Sequence, residues 1–320
     1  MTPQSIFLGL AAGFISAIVF ASATAGPMLS RLILFLLTPF SLYLAGLSLG
    51  FGPLLIGSAA ATAIILLLSN PLTALVYAAS EALPAIVLTR LTLTAREEDG
   101  KLHWYPLGRI IISAALISGA LSFVYLAMQG ADIEALTKAI RPEIENFAKS
   151  LASVPGGSEA LGEAQIGELT SIVVASLPGA VSLSLMITAL ASLWLAGRVT
   201  LASGRLLRPW PDFSKIELPL GSAVLLVAAT VLSFTSDRMW LLSDGIASAL
   251  RLAFALLGLA VVHHVTRGSP WRGFVLTITY AGLLILSKHA MLILSLIGLA
   301  ETAFHYRNSA QRAAPPPPPP

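Results

Sequence analysis

Cysteine is absent from this chain of 320 residues. That removes disulfides, thiolate metal ligands, iron–sulfur clusters and cysteine nucleophiles together. Charge is scarce as well. Only 11% of the residues are Asp, Glu, Lys or Arg, against about 25% in an ordinary soluble domain. The net charge is +3 and the basic residues are scattered, which argues against a nucleic-acid partner. Catalytic motifs are missing too: there is no HExxH, no Walker loop and no paired intramembrane Asp, so metalloproteolysis and ATP hydrolysis have no site. Residues 244–251 place Ala and Arg wrongly for a CDP-alcohol phosphotransferase motif, and Ser118-Gly119 lacks the preceding glycine of a rhomboid motif. The sequence therefore reads as non-enzymatic, with no cofactor and no metal.

What is present is apolar: 56% of the residues are hydrophobic. A soluble protein of this composition could not cover its own surface, so the chain reads as an integral membrane protein. A membrane helix needs about 20 mostly apolar residues. Segments 6–25, 28–47, 51–68, 72–91, 108–128, 170–197, 218–234 and 246–266 fit. The block 273–304 would make a single helix of about 48 Å, too long for one crossing. We split it at Lys288-His289. The expected fold is an all-α polytopic helical bundle of nine or ten spans with an amphipathic helical outer loop. Its parts are an N-terminal membrane bundle (1–128), an outer loop (129–169), a C-terminal membrane bundle (170–306) and a disordered Pro-rich tail (307–320).

Charge orients the bundle. Arg90, Arg96, Lys101 and Arg109 fall in one loop, and Arg198, Arg205, Arg208 and Lys215 in another. With Arg267, Arg272, Arg307 and Arg312 they make 12 of the 19 basic residues. The 129–169 loop has three basic and seven acidic residues. The positive-inside rule then puts both termini in the cytoplasm of a bacterial inner membrane and favours ten spans. No basic residue precedes Ile6, so the first helix reads as retained rather than as a cleaved signal peptide.

In the outer loop, Ile133, Leu136, Ile140, Ile144, Phe147 and Leu151 recur at helical spacing, with Glu134–Lys138 and Glu145–Lys149 opposite. Pro142 predicts two short helices or a kinked one. The loop is either a lid over an outward-facing cavity or an amphipathic helix on the membrane surface. Gly156-Gly157-Ser158 and Gly162 read as a flexible return, and residues 315–320 as a polyproline end.

Small residues mark two helices. Gly9, Gly13, Ala17, Ala21 and Ala25 fall every fourth position, as do Ala180, Ser184, Thr188, Ser192 and Ala196. Such stripes let helix backbones approach closely, either inside the chain or against a partner subunit. Pro39 and Pro84 sit inside spans as expected helix breaks. Glu81 lies three residues before Pro84, near midplane, where a lone carboxylate costs about 2.5–3.5 kcal/mol. Broken helices beside charged groups recur at transporter binding sites. Glu81 is therefore a candidate for substrate binding, or else a neutral lock between helices. Arg31, Arg251 and Lys288 are its candidate partners, with Arg31 or Arg251 at the mouth of the cavity; the alternative for all three is snorkelling. His263 and Arg267 read as interfacial, and Glu301 with His305 as a helix-end pair.

Several stretches carry a family likeness. They are Leu37-Thr38-Pro39-Phe40-Ser41-Leu42-Tyr43-Leu44-Ala45-Gly46, Ser80-Glu81-Ala82-Leu83-Pro84-Ala85, Trp210-Pro211-Asp212-Phe213 with Leu218-Pro219, and the ending from Leu296 to Arg307. In these the chain resembles the YybS-like predicted membrane proteins, a bacterial family of unknown function. That family is distantly similar to the substrate-binding S components of energy-coupling factor transporters, which dock on a membrane subunit through small residues of the first helix. S components usually have six spans, fewer than this chain. The resemblance implies a transporter-like shape without a substrate. The expected function is solute binding within a larger transport system. The alternative is a non-transporting scaffold for envelope or division partners. The expected partners are the lipid bilayer, a membrane subunit at the first helix and a small-molecule ligand.

Overall fold

The computed structural model describes residues 1–25, 28–129, 132–152 and 161–307. Gly156-Gly157-Ser158, Arg312 and the 315–320 tract lie outside the described residues. The elements run α1 (Pro3–Ala25), α2 (Met28–Leu37), α3 (Phe40–Leu49), α4 (Phe51–Leu68), α5 (Pro71–Tyr77), a π-helical turn (Ala78–Ala82) and α6 (Leu83–Thr92). A hairpin of β1 (Ala95–Glu98) and β2 (Lys101–Trp104) leads to α7 (Leu107–Met128), α8 (Ile133–Ala152) and α9 (Glu163–Ala202). Then come α10 (Leu220–Leu232), α11 (Asp237–Val265), α12 (Arg272–Ile285) and α13 (Ser287–Phe304).

Among the described residues, seven helices are long and apolar enough to cross a membrane, while α10 and α12 are shorter apolar helices. The count of nine or ten spans rests on α10 and α12, which fall below that length, and on α13, which has 18 residues but lies outside those seven. The 273–304 block is two helices, broken at Leu286, just before the Lys288-His289 pair. Sequence reasoning missed the hairpin. It turns on Asp99-Gly100, both with positive φ (52° and 70°), the two-residue loop that matches strand twist and favours Asp-Gly.

Helix pairs meet through glycine. A Cβ on Gly9 would lie 2.5 Å from the Pro53 carbonyl oxygen, and one on Gly13 would overlap the Gly57 carbonyl. The same holds between α11 and α13: a side chain on Gly258 would strike the Leu294 carbonyl, and one on Gly298 the Phe254 carbonyl. Lipid tails are as apolar as leucine, so association must come from such close fit. The small stripe of α1 is thus filled by α4 from within the chain: Gly9, Gly13 and Ala17 are buried, whereas Ala21 is exposed. The outward face carries Phe7, Phe14 and Ile18. On α9 only the later stripe residues, Thr188, Ser192 and Ala196, are buried.

One apolar core draws on both halves of the sequence, joining Leu42, Tyr43 and Leu88 to Ile110, Met186 and Phe254. A second cluster packs Phe20 of α1, Ile65 of α4 and Tyr77 of α5. The outer-loop helix is continuous through Pro142, not split. Its Leu136 joins Leu126, Val174 and Leu241, so its apolar face docks on the ends of α7, α9 and α11. Its ion pairs also differ from expectation. Arg141 binds Glu145 at 2.9 Å and also Glu163 at the start of α9, because Glu163 brings a second carboxylate within its reach.

The basic loops gather at one end of the bundle. Arg208 donates to the Thr92 carbonyl, Leu207 N–H to the Leu47 carbonyl, and Arg307 to the Ile216 carbonyl. Met1 packs its thioether against Gly52, so both ends of the described chain lie there. Glu301 pairs with Arg307 rather than with His305. His305 takes a left-handed conformation (φ 51°) that ends α13. The chain then turns back, and Arg307 Nε donates to Glu301 Oε1 at 2.8 Å, with both side chains buried.

Two stability experiments follow. Gly258→Val or Gly298→Val should cost about 1–3 kcal/mol or more through overpacking, whereas Gly221→Ala, whose Cβ would meet nothing within 4 Å, should be neutral. Thermal unfolding in detergent compares them, and equal shifts would refute the close-approach account. Removing the guanidinium in Arg307→Ala strands a buried carboxylate and should cost about 3–5 kcal/mol. Restoration of stability by the added change Glu301→Gln would mark the pair as the cause.

Candidate functional site

Two prolines shape the polar interior. Pro39 cannot donate a backbone hydrogen bond, and the chain breaks between α2 and α3. In hydrocarbon the freed carbonyls must find donors inside the protein. Ser192 Oγ donates to the Leu36 carbonyl and Ser16 Oγ to the Thr38 carbonyl, each at 2.8 Å. Ser41 in turn bonds the Ala12 carbonyl at 2.8 Å. Pro39 is thus a break repaired by two serine hydroxyls, with Ser41 tying the start of α3 back to α1.

Pro84 behaves differently from expectation. The helix does not break there. Residues Ala78–Ala82 widen into a π-helical turn, closed by Leu83 N–H on the Ala78 carbonyl. Proline lacks the N–H that an α-turn needs at that point, and the wider turn keeps the helix continuous. Single π-turns of this kind appear often at functional sites.

Glu81 lies in that turn and is fully buried. Ser80 Oγ donates to its Oε1 at 3.3 Å, and among the described residues Oε2 has no hydrogen-bond partner. The phenols of Tyr43 and Tyr77 are within electrostatic reach of the carboxyl. Tyr77 shares a 2.6 Å hydrogen bond with Ser16, the residue that repairs the Pro39 break. A hydrogen-bonded chain therefore links the two proline irregularities. Tyr43 Oη and Ser58 Oγ are also buried without partners. Buried polar atoms are nearly always satisfied, which sets the Glu81 oxygen apart.

The expected cations do not meet this carboxyl. Among the described residues Glu81 makes no ion pair. Arg251 binds Asp244 at 2.9 Å and Ser248 at 2.6 Å, both on its own helix. Asp244 escaped sequence reasoning as that partner. Its signal was the seven-residue spacing, two helical turns on one face. Arg31 is exposed on α2. The structure thus gathers Glu81 with tyrosines and serines and keeps Arg251 in a separate cluster against Gly179 of α9. Among the described residues no group of three His, Asp or Glu side chains is placed to hold a metal.

A cavity of about 610 Å³ lies elsewhere. It runs between α7, α9 and α11 to the basic end, and neither Glu81, Arg31 nor Arg251 lines it. Leu190, Trp194, Leu252 and Leu256 wall it, and Arg208, His263 and Arg267 stand at its end. Arg208 stacks over Trp104 with its guanidinium carbon 5.5 Å from the ring centre. Burial without a carboxylate partner lowers its pKa from the usual arginine value. His263 shares a 2.9 Å hydrogen bond with Tyr280.

Fold and site together define an all-α membrane protein of several apolar helices with buried polar side chains in its N-terminal half. The chain belongs to the DUF2232 family of predicted membrane proteins, whose model matches residues 14–302. No curated protein matches the chain, and no solved structure matches it.

Tyr77→Phe should test the linkage across the prolines. Loss of its hydrogen bond with Ser16 should cost about 0.6 kcal/mol, the membrane average, and Ser16→Ala should cost more because it also strands the Thr38 carbonyl. Unfolding of both variants in mixed detergent micelles would check this. Equal costs would mean that the carbonyl finds another donor.

Proposed function

We propose that this chain is a solute-binding membrane protein of transporter type, working within a larger transport system and without catalysis of its own. The observation that carries the reading is Glu81. A fully buried carboxyl with one oxygen unpartnered sits on a π-turn beside tyrosines and serines. It awaits a donor or a cation, which a small solute would bring. Irregular helices around a midplane acid are the usual construction of transporter sites. The resemblance of the Glu81 and Pro39 segments to YybS-like proteins, and through them to S components, motivates the same reading.

The topology that goes with it has ten crossings, with α10, α12 and α13 added to the seven longer helices. Two facts support it: the basic loops share one end, and so do Met1 and Arg307. The positive-inside rule then assigns that end to the cytoplasm of a bacterial inner membrane. A partner subunit would meet the first helix on its Phe7–Phe14–Ile18 side, since α4 fills the glycine side.

Native mass spectrometry of the protein released gently from its own membrane tests this. A stoichiometric small-molecule mass on the wild type, absent from Glu81→Gln, is the expected result. A chain carrying only envelope proteins, with Glu81→Gln indistinguishable from wild type, would overturn it in favour of a scaffold.

A further inference from the structure

The cavity at the basic end carries a separate inference, beyond the Glu81 reading. Its walls are apolar on three helices: Ile110 and Ile111 of α7, Leu190 of α9 and Leu256 of α11. Along α11 it extends from Leu252 to Arg267, which is roughly 22 Å at 1.5 Å per residue. That is a slot for a long chain rather than a compact solute. One side is open to the surrounding hydrocarbon: Ile187 and Trp194, which line it, are 49% and 52% exposed. A molecule already in the bilayer can enter sideways.

The polar end has one sign of charge. Arg208 and Arg267 line it, and among the described residues no carboxylate pairs with either. Arg208 Nε is buried without any hydrogen-bond partner, although Nη1 is held on the Thr92 carbonyl at 3.1 Å. The acid in the adjoining loop, Asp212, faces Lys215 at 3.9 Å instead. Trp104 holds the Arg208 plane from one side, and a guanidinium is the side chain best matched to a phosphate. Trp210 and Phe213, also in the lining, supply the aromatic ring groups that sit at headgroup depth.

We infer that this cleft binds an anionic phospholipid of the adjoining leaflet, its phosphate on Arg208 and Arg267 and one acyl chain between α7, α9 and α11. Apolar walls, lateral opening and uncompensated cations at one end are all required by such an occupant. A zwitterionic lipid brings its own cation to the same place and is disfavoured there. A free phosphate would use the arginines but leave the slot empty.

The test uses the full chain in nanodiscs of phosphatidylcholine with a minority of phosphatidylglycerol, followed by native mass spectrometry. Wild type should retain phosphatidylglycerol over phosphatidylcholine by about tenfold or more. Arg208→Gln and Arg267→Gln should each lower that preference. Arg267 is an exposed rim residue, so its variant keeps the test valid if Arg208→Gln does not fold. Ala260→Phe, which fills the slot and leaves the arginines, should abolish retention of either lipid. Millimolar inorganic phosphate should not displace the bound lipid. Equal retention of both lipids by wild type, or an unchanged preference in Arg267→Gln, would overturn the inference. So would binding of inorganic phosphate by wild type that retains neither lipid. Glu81→Gln should leave lipid retention as in wild type.

Discussion

Backbone contact between helices is the constraint on which the rest of this molecule depends. Inside a bilayer there is no water to expel between helices, so van der Waals fit and internal hydrogen bonds must hold them. Gly9 and Gly13 bring α1 onto Pro53 and Gly57 of α4. That contact sets the rotation of α1, and the rotation decides where Ser16 points. Ser16 lies one turn beyond Gly13, where its hydroxyl reaches the Thr38 carbonyl and the Tyr77 phenol. The polar interior is therefore a consequence of glycine packing a turn away. In the C-terminal half, Gly258 and Gly298 seat α13 against α11, and the seated helix delivers Glu301 to Arg307.

That dependence explains what could be read in the sequence and what could not. Hydropathy and proline are local properties, so the long spans, the Pro39 break and the placing of Glu81 inside a span were legible. The glycine stripe was legible as a stripe, but its occupant was not: only the fold decides whether α4 or a partner fills it. Partners of charges were the least legible. Glu301 was assigned to His305 by helical spacing, yet the left-handed turn at His305 brings Arg307 instead. Arg251 was assigned to a cavity with Glu81, yet its own helix supplies Asp244. The cavity at the basic end was invisible because its walls come from three helices and a loop distant in sequence. Each wall residue alone is an ordinary leucine or tryptophan of a membrane span.

Where the chain breaks at Pro39, hydroxyls from neighbouring helices replace the lost donors. Ser16 and Ser192 serve that break, and Ser122 gives the Pro178 carbonyl an added donor at 2.8 Å. Glu81 departs from this pattern. Its turn is kept helical by widening, yet its carboxyl is given one weak donor and no more. The hydroxyls around Pro39 meet backbone carbonyls, whereas among the described residues no donor reaches Glu81 Oε2.

The arginines show a similar contrast. Arg251 and Arg208 are both partly buried, and each has a buried Nε without a partner. Arg251 also has Asp244 and Ser248 within 3 Å, so its charge is balanced inside the chain. Among the described residues Arg208 has only a carbonyl and an aromatic face. A carbonyl dipole and a ring quadrupole each return part of a guanidinium's lost hydration, but neither carries a full negative charge. The same bundle that balances one arginine with an acid therefore leaves the other to be balanced from outside. The position of Arg208 at the mouth of an apolar slot makes the headgroup region of the bilayer the nearest source of that charge.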